Sequence, residues 1–252
     1  MNPWQTAGIQ INAWDSAPPE YLAPLRKAGY TRIELLLNML VEGLAPPPRS
    51  YVDALKRPIS EGGAGFDAVY GVVWADSFEW PQPLEQFVLD ESRRLNLNGI
   101  IINAEDGTEA RDQEGLEWSK RFCKWFREDF PRLPLALNTY IGCGGIDLAA
   151  WERANARLLC QTHHEGQTFE WGCVGYQAWA KKYAWTNPAK VKPQFGVYKS
   201  ADGTRADVTA QVASAKAAGM CGFSAYYGEG TFDEPEHMVR LIDEARKAGV
   251  VK

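Results

Sequence analysis

The chain has 252 residues, 45% of them apolar and 23% charged, the usage of an ordinary folded domain; this excludes a wholly disordered chain. Its 23 Gly and 15 Pro follow no triplet period, so it is not collagen-like, and no apolar run approaches the ~18 residues of a membrane-spanning helix. The net charge is −5 and the fullest basic stretch, Lys181-Lys182 with Lys190 and Lys192, is thin, so neither nucleic acid nor a membrane is an expected partner.

Short extended runs alternate with longer helical ones. Residues 7–13 alternate at period two and predict a strand, and 20–28 predict a helix stopped by Gly29. A second strand is expected over 31–37. A Pro/Gly-rich insertion follows at about 41–66, with at most one helix near 51–56. Residues 67–74 predict the third strand and 83–95 its helix; 99–103 the fourth strand and 112–126 its helix. The fifth strand is expected over 135–140, followed by a helix over 148–159 that Asp147 opens as N-cap. The sixth and seventh strands are expected over 172–179 and 194–198. An Ala-rich helix at 207–218, a strand at 222–227 and a helix at 235–248 complete the pattern, with Pro235 in a first turn and Gly249 after a last one.

Eight strands, most followed by a helix, with no linker composition, predict an α/β fold: a single (β/α)8 barrel over residues 1–252. An open doubly wound sheet competes. Its usual nucleotide signature is a Gly-rich turn after the first strand, and this chain has Trp14-Asp15-Ser16-Ala17-Pro18-Pro19 there. The lone Gly142-Cys143-Gly144-Gly145 stretch reads as a turn. Met1-Asn2-Pro3-Trp4 is not a basic region leading into an apolar one, so no cleavable signal is expected, and a cytoplasmic or virion-associated setting fits. The five cysteines (Cys123, Cys143, Cys160, Cys173, Cys221) are spread without a C-x-x-C pair and are expected to be small buried side chains in a reducing compartment. His163-His164-Glu165 reads as a polar loop; no metal or other cofactor is expected.

In such a barrel the working residues lie at the C-terminal ends of the strands. Those ends read Asn12-Ala-Trp14-Asp15, Leu37-Asn38, Trp74-Ala-Asp76, Asn103-Ala-Glu105-Asp106, Asn138-Thr-Tyr140, Gln177-Ala-Trp179, Tyr198-Lys199 and Tyr226-Tyr227-Gly-Glu229. Thirty aromatics, ten each of Trp, Tyr and Phe, supply rings in quantity. Trp118, Phe122, Trp125 and Phe126 recur at helical spacing and belong to the core, as does Trp151. Trp14, Trp74, Trp179 and Tyr226 stand at strand ends and suit a stacking platform. Amides, rings and acids without His describe a cleft that bonds hydroxyls and stacks on the flat faces of sugars.

The fourth strand is the sharpest signal. In Asn98-Gly99-Ile100-Ile101-Ile102-Asn103-Ala104-Glu105, residues Ile101, Asn103 and Glu105 share one face. Facing inward, Glu105 would emerge at the rim beside rings such as Trp74 and Tyr140. Lost solvation there would raise its pKa and prepare it as a general acid. This stretch resembles the strand-four signature of the family-eighteen chitinase-like glycoside hydrolases, D-G-x-D-x-D-x-E. The resemblance implies Glu105 as proton donor and Asn103 in place of the Asp that supports the substrate's acetamido group. Ile101 takes the place of the innermost Asp, and Tyr176 falls where the family has a Tyr on the reacting sugar. It implies a glycoside hydrolase acting on a polysaccharide, an N-acetylated cell-wall or chitin-type glycan. With Ile101 and Asn103 where the signature has Asp, substrate-assisted chemistry loses its charge partner.

A two-carboxylate mechanism would need a second acid, ~5 Å away for retention or ~6.5–9.5 Å for inversion. Asp76, adjacent to strand four, comes first, then Glu229 and Asp15; strand seven ends in Tyr198-Lys199 and offers none. Asn138, Tyr140, Gln177 and Tyr198 complete the candidate lining. The alternative is a barrel that keeps the sugar cleft without catalysis, a binding or structural module assembled into a larger complex such as a phage tail or cell surface. Thr31-Arg-Ile-Glu34-Leu also resembles the second strand of xylose-isomerase-like barrels, but the three His residues, none at a strand end, cannot supply their metal set.

Overall fold

The computed structural model describes residues 3–12, 14, 17–37, 46–75, 84–104, 112–140, 145–161, 172–197, 207–227 and 235–251. Eight parallel strands close into a barrel in sequence order: β1 (Ala7–Ile11), β2 (Tyr30–Leu36), β3 (Ala68–Trp74), β4 (Gly99–Asn103), β5 (Leu135–Thr139), β6 (Arg157–Gln161), β7 (Val191–Gly196) and β8 (Phe223–Tyr227). Each is followed by a helix: α1 (Pro19–Ala28), α2 (Arg49–Lys56), α3 (Leu84–Leu95), α4 (Asp112–Asp129), α5 (Leu148–Arg153), α6 (Gly172–Lys182), α7 (Val208–Ala217) and α8 (Pro235–Ala248). The expected (β/α)8 barrel is the observed fold. None of the described helices is long and apolar enough to cross a membrane.

Local signals place most boundaries. Gly29 takes the left-handed conformation at the end of α1, Asp147 accepts a hydrogen bond from the Ala150 N–H to open α5, and α8 begins at Pro235. The sixth repeat departs from expectation. Residues 172–179 form helix α6 rather than a strand, because Cys173, Tyr176 and Ala180 recur at helical spacing and are the residues it buries. Tyr176, Gln177 and Trp179 therefore sit on an outer helix and not at a strand end. The expected helix over 148–159 is α5 followed by β6. Asn155, at φ 57°, turns the chain between them, a conformation Asn tolerates better than most residues.

Helices and sheet enclose a continuous apolar layer outside the barrel. Trp118, Phe122 and Phe126 of α4 are buried there with Trp151, whose ring stacks on Phe122 at 5.4 Å between centroids. Each ring fully removed from water contributes on the order of 1.5–3 kcal/mol.

The barrel interior divides into two walls. Leu36, Tyr70, Val72, Ile101, Ala136 and Leu159 form an apolar one, closed at the bottom by Trp4. Facing them, Gln10, Arg32, Glu34, Lys192, Gln194 and Ser224 are polar and equally buried. Arg32 Nε lies 2.7 Å from Glu34 Oε1, and both side chains are almost wholly out of water, at 2% and 0% exposure. Ser224 Oγ donates to the same oxygen at 2.6 Å and accepts from Arg32 at 3.2 Å. The guanidinium also sits 4.8 Å from the Trp4 ring centroid. Gly8 makes room for this pair, since a Cβ there would stand 2.3 Å from Glu34 Oε1.

Removing the cation alone strands a buried carboxylate. Arg32→Met is expected to lower unfolding free energy by about 3–5 kcal/mol in a urea titration, and Arg32→Met with Glu34→Leu to recover most of that loss. A single-variant loss under ~1 kcal/mol would contradict the buried-pair account.

Tyr70 gives a second test. Burial, with a smaller push from Glu34 against the pull of Arg32 and Arg157, raises its hydroxyl pKa to about 12. The unfolded chain ionises near ~10, so Tyr70's contribution to stability is intact below that pH and is lost as pH rises through about 12. Tyr70→Phe should flatten the fall of the urea midpoint across this window; an unchanged slope would count against it.

Candidate functional site

The C-terminal ends of the strands form the barrel mouth. Sheet register aligns Trp74 with Asn103 and Asn103 with Asn138, so β3, β4 and β5 present a ring and two carboxamides side by side. Asn103 and Asn138 are buried; Trp74 is half-buried. Gln161, at the end of β6, donates from Nε2 to Asn103 Oδ1 at 3.2 Å. Across the barrel a directed chain climbs the polar wall: Gln194 Nε2 donates to Gln10 Oε1 at 2.9 Å, Gln10 Nε2 to Asn12 Oδ1 at 3.2 Å, and Asn12 Nδ2 to Tyr226 Oη at 2.9 Å.

Six carboxamides thus line the upper barrel. Each can donate and accept, and none ionises, which suits neutral hydroxyl or amide groups on a ligand. Asn138 Oδ1 is enclosed and has no hydrogen-bond partner among the described residues, a buried acceptor left open beside Asn103. The only carboxylate at an inward-facing position of the described strands is Glu34, deep in the barrel and held by Arg32. The opposite end is cationic: Lys192 Nζ donates to the Cys221 carbonyl at 2.8 Å, and burial foremost lowers its pKa. Charge gathers at the floor and neutral polarity at the mouth.

Among the residues singled out from sequence, Trp74, Asn103 and Asn138 are brought together, with Tyr226 across the mouth. Tyr140 directly follows β5 and is half-buried. Trp14 is half-buried with its ring 5.5 Å from that of Tyr51 on α2. The α6 residues do not reach the mouth. Tyr176 is buried behind the sheet, donating to the main-chain oxygens of Thr139 at 2.9 Å and Leu159 at 3.3 Å. Gln177 Nε2 donates to the Ala218 oxygen, and Trp179 packs between Tyr176 and Tyr183. Helical packing of α6 takes these three away from the site. Glu105, Asp76, Glu229, Asp15 and Tyr198 lie outside the described residues, as does His163-His164-Glu165.

Gln10, Gln161 and Gln194 escaped the sequence reading. Gln10 lies within the first alternating strand, and Gln194 at the start of the expected seventh, so attention to inward positions rather than strand ends would have found both. Gln161 was hidden by the misplaced sixth repeat.

No protein-family model and no curated protein sequence matches the chain. Solved structures do resemble it in fold. A chitinase from Chromobacterium violaceum superposes with TM-score 0.63 at 11% identity, over 98% of this chain and 100% of that one. The Bacillus megaterium spore cortex-lytic enzyme SleL gives 0.65 at 10% identity, over 96% and 74%. Active domain 2 of a thermostable chitinase from Pyrococcus furiosus, determined with chito-oligosaccharides, gives 0.63 at 14%, over 98% and 97%. At such identities the likeness is one of fold.

The open Asn138 acceptor separates stability from binding. Asn138→Leu, which replaces it with an apolar side chain of the same branching, is expected to raise the free protein's unfolding free energy by about 1 kcal/mol. A drop of ~2 kcal/mol or more in a denaturant titration would mean that the carboxamide is satisfied after all.

Proposed function

We propose that the protein acts on a polysaccharide as a glycoside hydrolase of the chitinase-like type, with an N-acetylated cell-wall or chitin-type glycan as substrate and Glu105 as general acid. The observation that carries this reading is the placement of Asn103. Its side chain is inside the mouth, aligned with Trp74 on one side and Asn138 on the other. Glu105 is two residues further along the same chain, the spacing at which strand side chains return to one face.

The second acid follows from the same register. Trp74 is the partner of Asn103 across β3 and β4, and Asp76 stands two residues beyond Trp74 as Glu105 does beyond Asn103. Asp76 is therefore the preferred partner, with Glu229 after β8 as the other candidate. In this scheme Glu105 protonates the departing glycosidic oxygen, and the Asp76 carboxylate meets the positive charge that develops at the sugar's anomeric carbon. Asn103, held by Gln161, and Asn138 take hydroxyl or acetamido groups. Trp74, Tyr140 and Tyr226 offer rings to the sugar faces, with Trp14 beside Tyr51; Tyr198 is a further candidate from the sequence. The two chitinases and the cortex-lytic enzyme that share the fold support a glycan as the ligand class.

A specific observation also favours a second reading. Ile101 occupies the inward position of β4 directly beneath Asn103, and among the described residues the inward strand positions carry no carboxylate apart from Glu34. A non-catalytic sugar-binding barrel, built into a larger assembly, has the same mouth without needing a charge pair. The two readings separate in one experiment: hydrolysis and binding of chitin oligomers and peptidoglycan by wild type, Glu105→Gln and Asp76→Asn. We expect wild-type turnover, a loss of about 10²–10⁴-fold in kcat for Glu105→Gln, and little change in glycan affinity. Wild-type binding without turnover on any glycan would leave the non-catalytic reading standing.

A further inference from the structure

We propose that Cys221 and Lys192 form an acyl-relay pair at the barrel floor. Cys221 takes an acyl group from a small thioester, such as acetyl-coenzyme A, and passes it to the Lys192 amine, which ends as an amide. This goes beyond the glycan reading and does not depend on it. In sequence the two residues are 29 positions apart without a recognised motif, and the fold sets amine against thiol.

Lys192 belongs to the barrel interior. It is aligned with Leu159 across β6 and β7, and it is only 4% exposed. Its Nζ donates to the Cys221 main-chain oxygen at 2.8 Å and to the Cys221 sulfur at 3.5 Å. Cys221 lies just before β8, in a stretch that neighbouring segments fix from both sides. Gly222 turns the backbone at φ 72°, and a Cβ there would stand 2.2 Å from the Trp4 main-chain oxygen. The Gly222 N–H donates to the Val250 oxygen at 2.7 Å, and the Phe223 N–H to the Thr6 oxygen at 3.2 Å. Among the described cysteines Cys221 alone is partly exposed; Cys123, Cys160 and Cys173 are buried. A thiol within reach of solvent therefore fronts an amine that solvent barely touches.

The chemistry follows from that order of exposure. The Cys221 thiolate, its proton given to water, attacks the carbonyl carbon of the thioester. A carbon–sulfur bond forms, and the coenzyme A thiolate leaves with the electron pair and takes up a proton. The acyl carbon is then carried on the atom that Lys192 Nζ already contacts, and groups held ~3–3.5 Å apart are placed for attack. The amine adds, the Cys221 carbon–sulfur bond breaks, and the departing sulfur takes the proton that the amine sheds. One thioester and one amine become one amide and one thiol, with no change of oxidation state. Attack needs the neutral amine, and the surroundings favour it. Burial foremost lowers the Lys192 pKa, Arg157 and Arg32 add to this, and the Cys221 sulfur works against it. Acylation cancels the sulfur's opposing pull, so loading Cys221 also makes the neutral amine more available. Among the described residues no carboxylate pairs with Lys192 to keep it protonated.

The test is a time course of the folded protein with acetyl-coenzyme A at mildly alkaline pH, read by proteolysis and mass spectrometry, with hydroxylamine to cleave thioesters selectively. The expected result is a hydroxylamine-sensitive acetyl group on Cys221 that appears first. A hydroxylamine-stable one on Lys192 should grow as the first decays. Lys192→Met should stop at the Cys221 thioester. Cys221→Ser should lower acetylation of Lys192 about 10²-fold and leave that of the exposed Lys181 and Lys182 unchanged. The order of events in the wild type needs no variant, so a variant that fails to fold leaves the test intact. A Cys221 thioester that persists in the wild type, equal Lys192 acetylation in Cys221→Ser, or acetylated Lys181 and Lys182 with neither member of the pair modified would each overturn the proposal.

Discussion

A guanidinium and a carboxylate, both out of water, sit low inside the barrel, and the arrangement of the surrounding strands is conditioned by them. Taking two charges from water costs several kcal/mol each, a cost that attraction at 2.7 Å offsets only if the remaining hydrogen-bonding capacity is also used. Ser224 uses part of it from β8, Trp4 covers the guanidinium from below, and β1 contributes a glycine at the one position where a side chain would collide with the pair. Such a pair is weak evidence for stability and better evidence for register. A slip of β2 by one residue would turn Arg32 and Glu34 outward into the apolar layer beneath the helices, with no partner there. The ion pair penalises that alternative more than an apolar filling would.

That register carries through to the mouth. With β2 fixed against β1 and β3, the pairing continues to Trp74, Asn103 and Asn138, so the side chains proposed to meet the ligand inherit their heights from the barrel floor. The interior is graded along its axis: cations and their one carboxylate at the bottom, carboxamides above, a ring at the rim. A neutral upper barrel has a chemical consequence. Carboxamides can orient a ligand at any ordinary pH but cannot supply the proton or the negative charge of acid–base catalysis, so catalysis would require carboxylates from the loops beyond the strands.

The sequence carried the architecture well and the lining less well, for one physical reason. Parallel barrel strands are buried on both faces, so Ala7–Ile11 and Gly99–Asn103 are continuous buried runs in which alternation is muted. Strand existence is legible from such runs, but the inward identity of Gln10 or Gln194 is not obvious until the strands are paired. The sixth strand is hard to read because the helix before it, α5, is short and β6 follows after a turn at Asn155, with no Gly or Pro as punctuation. Reading 172–179 as a strand then carried Tyr176, Gln177 and Trp179 to a rim they do not reach. Asn103 survived because the period-two spacing around it needed no neighbour to interpret.

The buried Glu34 sharpens what the strand-four pattern means for mechanism. Where the resembling family has acids beneath its proton donor, this chain has Ile101 and Asn103, and the one buried acid among the described residues lies on β2 with Arg32 against it. Glu34 cannot take over the missing charge: it faces a cation, it is fully enclosed, and it sits below the mouth. An amide at position 103 can still hold an acetamido group by hydrogen bonds, but it brings no charge to balance a cationic intermediate formed from that group. Catalysis on this scaffold is therefore confined to a mechanism in which a second rim carboxylate meets the charge directly.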